Sequence, residues 1–88
     1  MLIAKVTGSI VSTQKDDTLV GKKLMIVQPM NSDGEPTRNE EVACDKVGAG
    51  IGEYVLVTRG GSARAAFESS KENVIDMAIV AIIDSFDK

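Results

Sequence analysis

The stretch Asp45-Lys46-Val47-Gly48-Ala49-Gly50-Ile51-Gly52-Glu53-Tyr54-Val55-Leu56-Val57-Thr58-Arg59-Gly60-Gly61-Ser62-Ala63-Arg64 decides the fold. A polar approach enters a loop with glycine at alternate positions, Gly48, Gly50 and Gly52. The loop opens onto a short apolar run, Tyr54 to Val57, which stops at Arg59-Gly60-Gly61. Ser62 then reads as the start of a helix. Backbone this permissive can adopt φ > 0 or pass close to other backbone. Three uses stay open for it: cradling a phosphate, turning a sharp barrel corner, or meeting a neighbouring subunit.

Downstream, Ser62 is placed to cap a helix of about two turns through Ala63, Arg64, Ala65, Ala66, Phe67 and Glu68, ending near Ser69-Ser70. Ala63, Ala66 and Phe67 share a face at helical spacing and are expected to pack on the barrel, with Arg64 and Glu68 pointing elsewhere. Lys71 to Asn73 is a polar turn. Val74 to Ile83 reads as a last strand: Ile75, Met77, Ile79, Ala81 and Ile83 alternate with Asp76, Ala78, Val80, Ile82 and Asp84. Its second half is apolar on both faces, the mark of a strand covered on both sides. In a chain this short, the second cover is expected from another subunit. A helix is the alternative here, but the Ile and Val content and the stop at Asp84-Ser85 favour a strand.

Upstream, Met1 to Thr13 alternates with period two, placing Leu2, Ala4 and Val6 opposite Ile3, Lys5 and Thr7. Gly8 interrupts it, as a bulge or bend in a barrel wall does, or as a plain turn between two short strands. Gln14 to Gly21 is a polar connection in which Thr18 to Gly21 can form one helical turn. Lys22 to Met30 is a second strand. Pro29 cannot donate to a ladder, so pairing should fail there or Pro29 should lie at an edge. Asp33-Gly34 is the expected tip of a long hairpin whose polar run, exposed and mobile, continues to Glu40. Glu41 to Asp45 is a third strand and Glu53 to Thr58 a fourth. The sum is a mainly all-β chain: a five-stranded, Greek-key-like barrel of OB type, with one short helix between strands four and five.

Size and composition narrow the function. At 88 residues the chain is expected to form one domain over residues 1–88, burying only about 60% of its unfolded surface. Cys44 is the only cysteine, so no internal disulfide can help; a core this small often needs oligomerisation. A lone thiol and the lack of a signal-like leader suggest a reducing cytoplasm. No lysine-, histidine- or cysteine-paired motif surrounds Cys44, so it reads as a small inert core residue. There is no histidine, hence no histidine metal site and no histidine base. Met77 to Ile83 is too short to span a bilayer. A net charge of −3 and the scarcity of aromatics, Tyr54, Phe67 and Phe86 alone, argue against nucleic acid.

The glycine loop is not a dinucleotide fingerprint, because the last glycine falls one position early and a strand follows instead of a helix. It is not a Walker loop either, since no Gly-Lys-Ser/Thr follows. Gly60-Gly61-Ser62 before a helix is a better anion site, although Ser62 capping its own helix is the plainer reading, and a neighbour's carboxylate docking there a third. Glu53 and Arg64 are ordinary surface charges by default; their place beside the glycines makes them candidates for contacts across a subunit boundary. The adjacent carboxylates Asp16-Asp17 and Glu40-Glu41 point apart in strands, and no serine has a histidine to activate it. No catalytic residue, cofactor or metal is expected.

Several blocks together resemble one family nearly end to end: Val6-Thr7-Gly8-Ser9-Ile10-Val11-Ser12-Thr13-Gln14-Lys15, Leu19-Val20-Gly21-Lys22-Lys23-Leu24-Met25-Ile26-Val27, Val42 through Val57, Gly60-Gly61-Ser62-Ala63-Arg64, and Asp76 through Asp84. The chain is similar to the pentameric vertex proteins of bacterial microcompartment shells, the CcmL/EutN family. Ala81 replaces a family glycine, and Gly61 stands where the family usually has a serine. The resemblance implies a five-stranded barrel that forms a homopentamer, a structural protein rather than an enzyme. Such pentamers cap the vertices of a cytoplasmic polyhedral shell that is otherwise built from hexameric shell proteins and encloses metabolic enzymes. By position, Gly48, Ala49, Gly50, Ile51, Gly52, Glu53, Ser62 and Arg64 would lie at or near the subunit interface or the five-fold axis. The loop from Asn31 to Asn39 would touch neighbouring tiles or, more simply, solvent. The competing reading is a small OB-like binding module for nucleic acid or a metabolite.

Overall fold

A computed structural model describes residues 1–13, 16–67 and 75–88. β1 (Leu2–Ile10) pairs antiparallel with β2 (Lys23–Met30) and with β4 (Tyr54–Arg59). β3 (Glu41–Asp45) pairs antiparallel with β2, and β5 (Met77–Ile83) runs antiparallel to β4 and parallel to β3. The ladder closes as β1-β2-β3-β5-β4, a five-stranded barrel, with α1 (Gly61–Ala65) between β4 and β5. All the strand joins but one are antiparallel; the exception is the contact of β3 with β5.

The period-two pattern of β1 works as read: Ala4 and Val6 are fully buried, while Ile3, Lys5 and Thr7 face outward. Its register against β2 slips between Val6 and Gly8, which makes Thr7 an extra residue and the strand a bulged one rather than two strands with a turn. The strand ends at Ile10, short of the expected Thr13, and Val11 beyond it is 93% exposed. The Thr18 turn appears as a 3-10 turn at Asp17–Leu19, where the Asp16 carboxylate accepts from the Thr18 N–H at 2.8 Å.

Pro29 fits β2 because the barrel wall opens there. Its pairing with β1 continues through Ala4, but β2 has already left β3 at Val27. The Pro29 carbonyl accepts from the Thr37 N–H at 3.1 Å, so that side of the residue faces the hairpin loop, and its missing N–H costs no rung with β1. The hairpin tip sits within Asn31–Gly34, where the Asn31 carbonyl accepts from the Gly34 N–H at 3.0 Å. The Asn31 side-chain oxygen also accepts from the Asp33 and Glu35 N–H groups. The chain end crosses this loop: Lys88 pairs with Asp33, and Phe86 stands edge-on to Tyr54, ring centroids 5.8 Å apart.

Two apolar clusters form. The barrel interior holds Ala4, Val6, Met25, Val27, Val55, Val57, Met77 and Ile79 among others. A second cluster lies outside the wall, where Ala63 of α1 packs with Cys44, Ile75 and Ala78, joined by Leu19, Leu24, Ala66 and Phe67. The helical face of Ala63, Ala66 and Phe67 is therefore as expected; Glu68 to Val74 lie outside the described residues. The first half of β5 is covered on both faces by its own chain, because α1 roofs Ala78 while Met77 and Ile79 point inward. Only the stretch Val80–Ile83 is left part-exposed.

Candidate assembly site

The glycine loop is built by two carboxylates. Asp45, the last residue of β3, accepts on Oδ1 from the N–H groups of Val47 (3.0 Å) and Gly48 (3.1 Å) and on Oδ2 from Ala49 (2.9 Å). Glu53 Oε1 accepts from the Gly50 N–H at 2.6 Å, and the Glu53 N–H returns to the Gly50 carbonyl at 3.2 Å. This closes a tight turn over Gly50–Glu53. Two further bonds extend the β1–β4 ladder into the loop: Gly52 N–H to the Val6 carbonyl (2.8 Å) and Val6 N–H to the Glu53 carbonyl (2.9 Å). Gly48 and Gly52 hold φ of 82° and 94°, where other residues are strained. At Gly50 a Cβ would stand 3.3 Å from Glu53 Oε1, so a side chain there would crowd the carboxylate that braces the turn.

This geometry selects among the three uses of the loop. Anion binding requires N–H groups left unbonded, and those of residues 47 to 50 are already bonded by Asp45 and Glu53. The loop is a barrel corner: Ala49 is fully buried in the core, and Lys23 Nζ reaches its carbonyl at 3.3 Å. At the tip Ile51 remains 66% exposed.

Ser62 and Arg64 lie at the other end of β4. The cap position of α1 is Gly60, not Ser62; Gly60 takes φ of 63° and donates its N–H to the Asp76 carbonyl at 2.8 Å. Tertiary bonding thus fixes the helix start two residues early. Ser62 is an exposed second helical residue, and a helix of five residues sums too little dipole to make the anion reading work. Arg64 is exposed and reaches the Ile75 carbonyl at 3.5 Å. Gly48 to Glu53 therefore stand together, Ser62 and Arg64 stand together, and the length of β4 separates the two groups. Sequence reading passed over Asp45 as a site residue, although an Asp just ahead of a glycine loop is a known turn-maker.

Nothing in the site has catalytic chemistry. Burial pushes the Cys44 thiol above its ordinary value, with Lys22 pulling weakly the other way, so it is a poor nucleophile at neutral pH. Among the described residues, no group of three His, Cys, Asp or Glu could hold a metal, and no helix is long and apolar enough to cross a membrane.

The five-stranded barrel thus has a corner locked by two carboxylates, with exposed Ile51 at one end of β4 and exposed Arg64 at the other. The family described as "Ethanolamine utilisation protein EutN/carboxysome" matches residues 1–84. The shell vertex protein PduN of Salmonella typhimurium is 51% identical, with 97% of this chain and 97% of PduN covered. The carboxysome shell vertex protein CcmL of Thermosynechococcus vestitus is 49% identical over 97% of this chain and 85% of its own. Among solved structures, the pentameric microcompartment shell protein GrpN from Rhodospirillum rubrum superposes with a TM-score of 0.88 at 40% identity, covering 100% of this chain and 99% of GrpN. The chain belongs to the EutN/CcmL family. Its relatives are structural shell proteins, not enzymes.

Proposed function

We propose that this chain assembles head to tail into a homopentamer that caps the vertices of a polyhedral bacterial microcompartment shell in the cytoplasm. The observation that carries the reading is its end-to-end likeness to shell vertex proteins, including a pentameric one. The physical logic agrees with it. Hexagonal tiles alone make a flat sheet, and closing a shell requires five-fold positions. A heterologous contact that closes after five copies supplies one. Residues 1–88 act as one unit in this reading, with Gly48 to Glu53 at one side of each subunit boundary and Ser62 and Arg64 at the other. The part-exposed apolar residues Val80–Ile83 are surface that a neighbour can cover. The outer edges of the ring meet hexameric shell proteins.

Light scattering after size exclusion tests the ring. The expected mass is five times the 9.3 kDa of one chain; a stable monomer at micromolar concentration would reject the reading. Co-expression with a hexameric shell protein should then give closed particles, and open sheets when this chain is left out.

A further inference from the structure

β5 ends at Ile83, and the chain then runs on over the outside of the barrel. Among the described residues, no backbone hydrogen bond ties Asp84 to Lys88 to any other part of the chain, and the whole segment is exposed. Two side chains fasten it. Phe86 meets Tyr54 edge-on at 84°, ring centroids 5.8 Å apart, and is covered enough to remain only 37% exposed. Lys88 pairs with Asp33 at the tip of the β2–β3 hairpin. The two side chains of that pair keep 53% and 66% of their surface in water, so the pair is screened and weak.

The surface beneath is built without this segment. Tyr54 is fixed in β4, paired with Lys5 on one side and Ile83 on the other. The Lys5 ammonium lies 5.8 Å from the centre of its ring. The Tyr54 hydroxyl reaches the hairpin, where a Cβ on Gly34 would stand 3.9 Å from it. The hairpin tip is closed by Asn31: its side-chain oxygen accepts from the Asp33 and Glu35 N–H groups and its carbonyl from the Gly34 N–H. The hairpin base is closed separately. The Thr37 N–H donates to the Pro29 carbonyl at 3.1 Å, and Gln28 Nε2 donates to the Arg38 carbonyl at 2.7 Å. Parts closed by their own hydrogen bonds keep their shape when a weak surface contact opens, so residues 84–88 can lift without unfolding what they lie on.

We propose that residues 84–88 are a releasable strap: Phe86 seats on Tyr54, Lys88 latches to Asp33, and charge at the latch sets whether the hairpin tip is tied to the barrel. Closed, the strap covers the Tyr54 ring; open, it leaves both rings to water while the barrel keeps its form. The latch has a sign. The hairpin tip carries Asp33 and Glu35 and the strap carries Asp84 and Asp87, so Lys88 is the one cation in residues 31–35 and 84–88. Reversing its charge turns attraction into repulsion, and an anion that competes for Lys88 opens the strap. The ring contact involves no net charge, so salt does not screen it. Every contact lies within one chain, so the strap does not depend on the ring reading.

Tyr54 is the only tyrosine and the chain has no tryptophan, so its intrinsic fluorescence comes from beneath the strap. Acrylamide quenching therefore reads how often the strap is open. Phe86→Ala has no ring to seat; it sets the open value and should be quenched more than wild type. Lys88→Glu should move toward that value, with the ratio of open to closed raised about threefold, the worth of an exposed ion pair. Added salt should bring Lys88→Glu back toward wild type by screening the repulsion. Lys88→Glu combined with Asp33→Lys exchanges the two charges and should restore the wild-type quenching. Wild-type quenching in Phe86→Ala or in Lys88→Glu alone, or a charge exchange that restores nothing, overturns the strap. Trypsin cleavage after the exposed Arg38, at the hairpin base, should run at the wild-type rate in Phe86→Ala. Faster cleavage there means that the hairpin hangs on the strap instead of carrying it, and overturns the proposal as well.

Discussion

Asp45→Ala removes the acceptor for three backbone N–H groups at once. Hydrogen bonds to charged groups contribute about 1.5–3 kcal/mol each, and less where water competes. The bonds to Val47 and Gly48 are exposed and are worth about 0.5 kcal/mol each on that scale. The bond to Ala49 is part-buried, and Ala49 anchors the loop in the core, so about 1.5 kcal/mol belongs to it. The loss for Asp45→Ala is then about 2–3 kcal/mol. Asp45→Asn keeps one oxygen for Val47 and Gly48 but turns an amide N–H₂ toward Ala49, for a loss of about 1.5 kcal/mol. A small domain has roughly 5–10 kcal/mol in total. With a urea slope of about 1 kcal/mol/M, midpoints should fall by about 2–3 M for alanine and about 1.5 M for asparagine, at one fixed protein concentration. Equal midpoints for the two variants, or shifts below about 0.5 M in both, would refute the idea that the loop hangs on Ala49.

The remaining predictions use other parts of the molecule. Gly52→Ala forces a side chain onto φ of 94° and should cost about 1–2 kcal/mol in urea unfolding; a neutral result would mean the turn readily adopts another conformation. Arg64→Ala should weaken the ring by about 2–5 kcal/mol per site if the pair with a neighbour's carboxylate is desolvated, read as monomer appearing on dilution in light scattering. Cys44 has a raised folded-state value, so its stabilising share is intact below about pH 8.5 and is lost as pH rises past it. The stability gap between wild type and Cys44→Ala should therefore narrow between about pH 8 and pH 10, and a native-state thiol reagent should react slowly at pH 7.

Much of the barrel is written locally, and the parts that are not share a cause. β3 is legible as Glu41 to Asp45 because polar loops bound it on both sides. The bulge is legible from Gly8, where a Cβ would stand 3.3 Å from Ile26 Cδ1. The helix start was misread because Ser62 is the better cap by type, while the bond from Gly60 to Asp76 joins residues on opposite sides of a long connection. The cover of Ala78 by α1 follows from the helical face of Ala63, Ala66 and Phe67, whereas no local pattern says what covers Val80–Ile83, which the chain itself leaves part-exposed. Within the candidate site, the corner could be read from its glycines. Of its two fasteners, Asp45 has the type and place of a turn-maker, whereas the reach of Glu53 back to the Gly50 N–H shows itself only once the loop is closed.

The parallel contact of β3 with β5 has a consequence for how the particle ages. Two paired positions and the bond from the Lys46 N–H to the Ile79 carbonyl hold shut a seam whose strands are far apart in sequence, whereas β1 and β2 are zipped through seven positions. A cylinder with one weak staple opens at the staple. If a neighbouring subunit covers that opening, each subunit is the lock on the next one's seam, and closing the ring covers the last open one. Amide exchange along the seam should then report whether the circle is whole: slow at all five positions in an intact vertex, and fast at the one seam left uncovered when a member is missing.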